Sequence, residues 1–337
     1  MILRRIQKST WVYLFVAFLL VLLPFFKDDR WFLFLMMQVF IFGIFAMSYD
    51  LLLGYTGIVS FGHAMFFGIG AYSLGITINR LEPSFTSIFI GILIAALVGG
   101  VIAFIAGILT LRLKSHYYAM LTLALANLFL FLAEKWRDLT KGNDGFTFRL
   151  PDFGPLEEHR NIGIYMFCLL SMVVIFFLLR RLTQSPLGKI LVAIRENDQR
   201  VESLGYRVMP YKVIISVISG VVASFAGVLY AIGLRFVDTT VFAIDVTLDA
   251  LLMTIIGGVG TLVGPIIGAG IIEFAHHYLS GLTDVHWIFQ RWIILFGTIY
   301  ILAVIFFPNG IVGSFQKLSG KFQKKKKDTS KSLKKAS

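Results

Sequence analysis

TLDALLMTIIGGVGTLVGPIIGAGIIEFAHHYLS, residues 247–280, decides how many times this chain crosses a membrane. It is apolar over most of its length and is broken by GGVGTLVGP at Gly257–Pro265, with Gly257, Gly258, Gly260 and Gly264 weakening any helix through that point. A bilayer needs about 20 apolar helical residues, so the segment reads either as one long span or as two short ones meeting at the break. The C-terminal end of the chain chooses between them. A last apolar run, Trp287–Phe307, leads to a tail containing Lys317, Lys321, Lys324 to Lys327, Lys331, Lys334 and Lys335. One span at 247–280 would export those lysines, whereas two keep them in the cytosol, where basic residues of membrane proteins concentrate. Two spans give ten in total, with both termini cytosolic.

The rest of the chain agrees with that class. Apolar residues make up 57% and charged residues 15% of 337 residues, outside the range of soluble domains. The expected fold is all-α, a polytopic membrane protein with about ten transmembrane helices and two glycine-broken segments. A transmembrane domain fills 1–313, with an outer loop at 134–161 and a cytosolic loop at 180–212, and a basic tail fills 314–337. The spans before the opening segment are Trp11–Phe26, Trp31–Leu53, a third ending near Ile78, Ile88–Leu111, Tyr117–Leu132, Ile162–Leu179 and Val213–Leu234. Trp11–Phe26 follows Arg4, Arg5 and Lys8 and lacks a cleavage site, so it reads as a retained span. Arg235–Val246 reads as a short outer loop. This orientation puts 21 of the 31 basic residues inside, so the net charge of +12 reports topology and not nucleic-acid binding. The tail is a solvated segment drawn to anionic lipid. Cys168 is the lone cysteine, which excludes an intramolecular disulfide.

RRLTQSPLGKILVAIRENDQRVESLGYRVMPYK, 180–212, is the one long polar island. Leu187, Ile190, Leu191, Ile194, Val201 and Leu204 share one helical face, while Lys189, Arg195, Glu196 and Arg200 lie off it. Pro186 and Gly205 bracket the helix. Such a ridge between two spans is expected to be exposed on the isolated chain and covered by a partner. Its charges balance, which disfavours a helix lying on lipid. No Gly-Lys-Ser/Thr phosphate loop occurs, so ATP is not bound by that device.

GYTGIVSFGHAMFFGIGAY, 54–72, is the other glycine-broken stretch, and Gly54-x-x-Gly57 matches Gly257-x-x-Gly260 in spacing. Irregular backbone at membrane depth needs shielding by protein or a cavity. Gly57, Ser60, Gly62, His63 and Tyr72 are therefore candidate lining of a substrate path, the alternative being close helix packing with His63 bonded to a neighbouring carbonyl. Asp50 is read as reaching the cytosolic interface. Asn127 is read as bonding across helices, or else as touching substrate. Glu273 and His276 have the spacing of a helical metal pair, but a single copy does not make a site and no metal is expected.

Several stretches together resemble one family. GYTGIVSFGHAMFFGIGAY, TLALAN at 122–127, LTKGNDGF at 139–146, PLGKILVAIRENDQRVESLGYRVMPYK at 186–212, GGVGTLVGPIIGAG at 257–270 and FPNGIVG at 307–313 resemble the LivM-like permease of branched-chain amino acid ABC importers. The resemblance implies a bacterial inner-membrane, multi-pass subunit that is not an enzyme and binds no cofactor. ATP and magnesium would sit on two cytosolic ATPase partners. A second related permease subunit and an extracytoplasmic substrate-binding protein complete the implied assembly. It also implies that Leu187, Ile190, Leu191, Ile194, Arg195, Glu196, Glu202 and Gly205 belong to the coupling helix that meets an ATPase. Glu202-Ser203-Leu204-Gly205 stands where ABC permeases have an EAA-type loop, departing from it at Ser203. Relatives that carry urea or short amides, and an ion-coupled carrier working alone, are the competing expectations.

Overall fold

The structure, a computed structural model, describes residues 13, 15–24, 29–110, 115–152, 160–281, 297–298, 301, 305 and 310–314. The long helices are α1 (Phe15–Pro24), α2 (Arg30–Thr56), α3 (His63–Arg80), α4 (Phe85–Thr110), α5 (Ser115–Lys135), α7 (Arg160–Gln184), α10 (Val208–Leu234), α11 (Ile244–Gly257) and α12 (Val263–Ser280). Shorter ones are α6 (Arg137–Thr140), α8 (Pro186–Glu196) and α9 (Asp198–Ser203). Among the described residues five helices are long and apolar enough to cross a membrane: Arg30–Thr56, Phe85–Leu109, Tyr117–Lys135, Arg160–Gln184 and Val208–Leu234. The final run Trp287–Phe307 lies almost wholly outside the described residues, as does the lysine tail.

Helix α2 is the central post. Asp29 caps its start by accepting from the Trp31 N–H at 3.1 Å. Gly57 ends it in the left-handed conformation, φ 71°, donating back to the Leu53 carbonyl at 3.2 Å. Most of α2 and α10 is buried, whereas α4 and α5 turn most of their surface outward. Glycine sets how closely the inner helices approach. A Cβ on Gly70 would strike the Ser224 carbonyl of α10, and one on Gly227 would strike the Phe67 carbonyl of α3. Bare backbone at both crossings lets α3 and α10 touch along their length.

The 247–280 segment is a helical hairpin. Gly257 packs on Gly264, and Gly268 packs on Met253, so α11 and α12 run antiparallel about the reversal at 258–262. Helix α12 lies antiparallel to α2, from Asp50, which accepts from the Leu262 N–H, to Trp31, whose ring lies tilted against that of His277 with ring centres 4.5 Å apart. Its 18 residues rise about 27 Å, close to the ~30 Å hydrocarbon core. The 14 residues of α11 rise only about 21 Å.

The segment Arg235–Val246, read as a short outer loop, is partly buried. Val237, Thr239, Val241 and Phe242 are buried, and Phe236–Val237 pairs antiparallel with Phe146–Thr147 of the 134–161 loop. The Phe242 ring enters the bundle because Gly68 leaves room for it, and it stacks on Tyr72 at 5.5 Å. The segment thus packs against the middle of α3, at Gly68, Tyr72 and Gly75.

Candidate functional site

The polar island folds as two helices. Ser185 caps α8, with Pro186 at its first position, and Gly188 packs against the Thr183 backbone. Asn197 ends α8 and caps α9 by accepting from the Arg200 N–H at 2.9 Å. The ridge expected to be exposed is turned inward instead. Leu191, Ile194 and Val201 are buried, with Val208 at the start of α10 closing a small core over Ile194 and Val201. Lys212 of α10 pairs with Asp198 of α9. The reason is geometric: helix α10 begins only five residues after α9 ends, so its first turn folds back under the ridge and covers it. Only Leu204 keeps the expected exposure, at 72%. The outer rim left to solvent comprises Lys189, Val192, Glu196, Arg200, Glu202, Leu204 and Tyr206.

On its inner side α8 reaches both glycine breaks. Arg195 Nη1 donates to the Gly54 carbonyl in the last turn of α2, and its Cγ lies against Gly57. The same guanidinium borders Gly260. Asp50, one turn before Gly54, accepts from the Gly260 N–H at 2.7 Å through Oδ1 and from the Leu262 N–H at 3.2 Å through Oδ2. Gly310, from the FPNGIVG motif, packs against Gly257 and Gly258. Four separate sequence motifs therefore meet at one junction.

Backbone conformation explains the composition of this junction. Gly258 and Gly260 have φ of 128° and 78°, a region that side chains disfavour. Leu262 also has positive φ, 56°. Thr261 Oγ1 donates to the Gly258 carbonyl at 2.7 Å and accepts from the Gly264 N–H at 2.9 Å, capping α12. The expectation that Asp50 reaches the cytosolic interface is corrected: it is fully buried. The chain reversal frees backbone N–H groups at the start of α12, and the carboxylate is accommodated away from water by accepting from them beside the positive helix end. A Cβ on Gly54 would collide with Asp50 Oδ1 and come within 2.6 Å of the Gly260 nitrogen.

The residues expected to line a substrate path are not brought together. Ser60 is buried and accepts from the Gly62 N–H at 3.3 Å. Gly62 lies against the Thr122 carbonyl of α5, and Thr122 Oγ1 accepts from the Phe61 N–H at 3.2 Å. His63 is fully buried among the rings of Phe45, Tyr49 and Phe66. Its Nε2 is 2.8 Å from Ser48 Oγ, while Ser48 donates to the Phe45 carbonyl at 2.6 Å. That makes Nε2–H the donor and leaves Nδ1 without a partner. The stretch 57–62 is thus pinned by packing, and the partner of His63 is a hydroxyl instead of the expected carbonyl. Tyr72 is buried and lines a cleft between α3, α4 and α5, its hydroxyl unpartnered. Asn127 is exposed on α5, on a stripe with Met120, Ala124 and Phe131, and the interhelical bond expected for it is not formed among the described residues. On α12, Glu273 lies near Asp249 of α11, and among the described residues no group of three or more His, Cys, Asp or Glu side chains forms a metal cage.

Residues 31–306 match the family model described as the permease component of branched-chain amino acid transport systems. The chain belongs to that permease family. It is similar to the high-affinity branched-chain amino acid transport system permease protein LivM of Salmonella typhimurium, 24% identical over 80% of this chain and 67% of the relative. It is also similar to a probable LivM of Methanocaldococcus jannaschii, 25% identical over 80% of this chain and 89% of the relative. The ribose import permease protein RbsC of Escherichia coli is 25% identical over 63% of this chain and 65% of its own length. No solved structure matches. Within this permease the junction of Asp50, Gly54, Arg195 and Gly260 is only partly legible in the sequence. The glycines and Arg195 stand out, but nothing in the spacing links Asp50 to a segment more than 200 residues away.

Proposed function

We propose that this chain is a membrane-spanning permease subunit of an ABC importer for branched-chain or other small amino acids, in the inner membrane. In this reading two separate cytosolic ATPases hydrolyse ATP, a second related permease pairs with this one, and an extracytoplasmic protein delivers the substrate. The α8–α9 rim is the ATPase contact: Val192, Leu204 and Tyr206 are exposed apolar groups among Lys189, Glu196, Arg200 and Glu202. The supporting observation is that α8 is bonded through Arg195 to the end of α2, next to the break that Asp50 holds. A rigid-body shift of α8 would pull on both broken segments at once, which suits alternating access between inward-open and outward-open arrangements. Substrate selectivity is assigned largely to the delivering protein, since Ser60 and His63 are engaged in packing. The exposed α5 stripe carries Asn127 at membrane depth, where an amide needs a partner, and it is assigned to the second permease or the water-filled path between the two.

The test uses Glu202→Arg and Gly205→Pro in the reconstituted complex. Both side positions are exposed, and Gly205 has a φ of 89° that proline cannot adopt. Loss of substrate-stimulated ATP hydrolysis with the basal rate retained is expected. Normal stimulation in both variants removes the rim from the ATPase contact.

A further inference from the structure

A cleft of about 540 Å³ lies between α3, α4 and α5, at the end of the bundle away from α8. Ile69 and Ile76 form its floor, Ile94 and Val98 one wall, and Phe129 and Leu132 the other. It opens sideways, beside α4, whose outer face is already exposed at Leu93 and Leu97. At its mouth stand Arg80, the last residue of α3, and Trp136, 58% exposed just beyond α5. Arg80 makes no ion pair among the described residues.

We propose that this cleft holds one phospholipid molecule, with an acyl chain along the apolar walls and its phosphate on Arg80. The dimensions fit. Ile69 and Arg80 are eleven residues apart on one helix, a rise of about 17 Å, and one leaflet contributes about 15 Å of hydrocarbon. A groove whose closed end is at mid-bilayer and whose mouth is at the headgroup level matches one leaflet. The mouth also has the chemistry of that level: an indole at the membrane–water boundary and a guanidinium free to make forked hydrogen bonds to phosphate. Water filling the same space would face almost continuous isoleucine, valine, leucine and phenylalanine, which is unfavourable. The phosphate contact would hold a lipid here longer than the lipids that merely surround the protein. The site is independent of the ATPase contact, because it sits at the opposite end of the bundle.

The test uses the full chain with Trp11→Phe, Trp31→Phe, Trp287→Phe and Trp292→Phe, leaving Trp136 as the single tryptophan. In detergent, it is titrated with phosphatidylglycerol brominated in the acyl chain, which quenches a neighbouring indole. Saturable quenching at about one lipid per chain is expected. Arg80→Gln should weaken the apparent affinity at least fivefold, and Arg80→Lys should restore it to within twofold. Ser73→Phe, which fills the cleft from its floor, should remove the saturable phase while circular dichroism shows unchanged helix content. Quenching that never saturates, that is unaltered by Arg80→Gln, or that survives Ser73→Phe overturns the proposal and leaves the cleft to a helix of a partner or to bulk lipid.

Discussion

Replacing Asp50 with Asn changes one atom of a buried clasp, and the consequence can be worked out from two hydrogen bonds. Oδ1 accepts from Gly260 at 2.7 Å and Oδ2 from Leu262 at 3.2 Å. Asparagine keeps one acceptor and turns an NH2 toward the other amide. The amide that faces the NH2 loses this acceptor, a penalty of about 1–3 kcal/mol at the buried Leu262, and the surviving bond loses its charge assistance, about 1 kcal/mol more. A combined effect of about 3 kcal/mol is on the order of 100-fold in the equilibrium between the clasped and unclasped break. Hydrogen exchange followed by mass spectrometry reads this directly on the peptide spanning 255–266, because local opening sets the exchange rate of its amides. In Asp50→Asn, exchange at Gly260 and Leu262 should accelerate on the order of 100-fold, with α10 amides unchanged. Wild-type protection at those two positions would show that the carboxylate does not hold the break.

Two further results are expected. Phe242→Ala should destabilise the chain by about 3–5 kcal/mol, seen as a lower thermal midpoint in detergent, because the ring fills the space that Gly68 leaves beside Tyr72. By contrast, Glu202→Arg should leave that midpoint unchanged whatever it does to coupling, because Glu202 is exposed and makes no ion pair among the described residues.

Much of the fold is legible in the sequence because hydrophobic length and glycine interruption act locally. Arg30–Thr56 and Val208–Leu234 fall within a few residues of the spans expected from the sequence, and the reversal at 258–262 lies inside the expected glycine break. Local pattern fails where burial depends on what folds back. Periodicity finds the α8–α9 ridge but assigns it to a partner, because no local pattern announces that Val208 and Tyr211 return beneath Ile194 and Val201. Asp50 is misplaced for the same reason, since its partners are backbone groups far along the chain. His63 resembles a cavity residue because a polar side chain near glycines suggests an opening, yet Ser48 and three aromatic rings close around it.

In the proposed function, transmission of α8 movement to the broken segments runs through Arg195. It is tested most directly by substrate-stimulated ATP hydrolysis in the reconstituted complex carrying Arg195→Ala, with Arg195→Lys as the control that keeps a donor within reach of Gly54. Retained basal hydrolysis with stimulation lost in the alanine variant, and partly recovered in the lysine variant, is the expected result. Full stimulation in Arg195→Ala would mean that Arg195 does not link α8 to the broken segments.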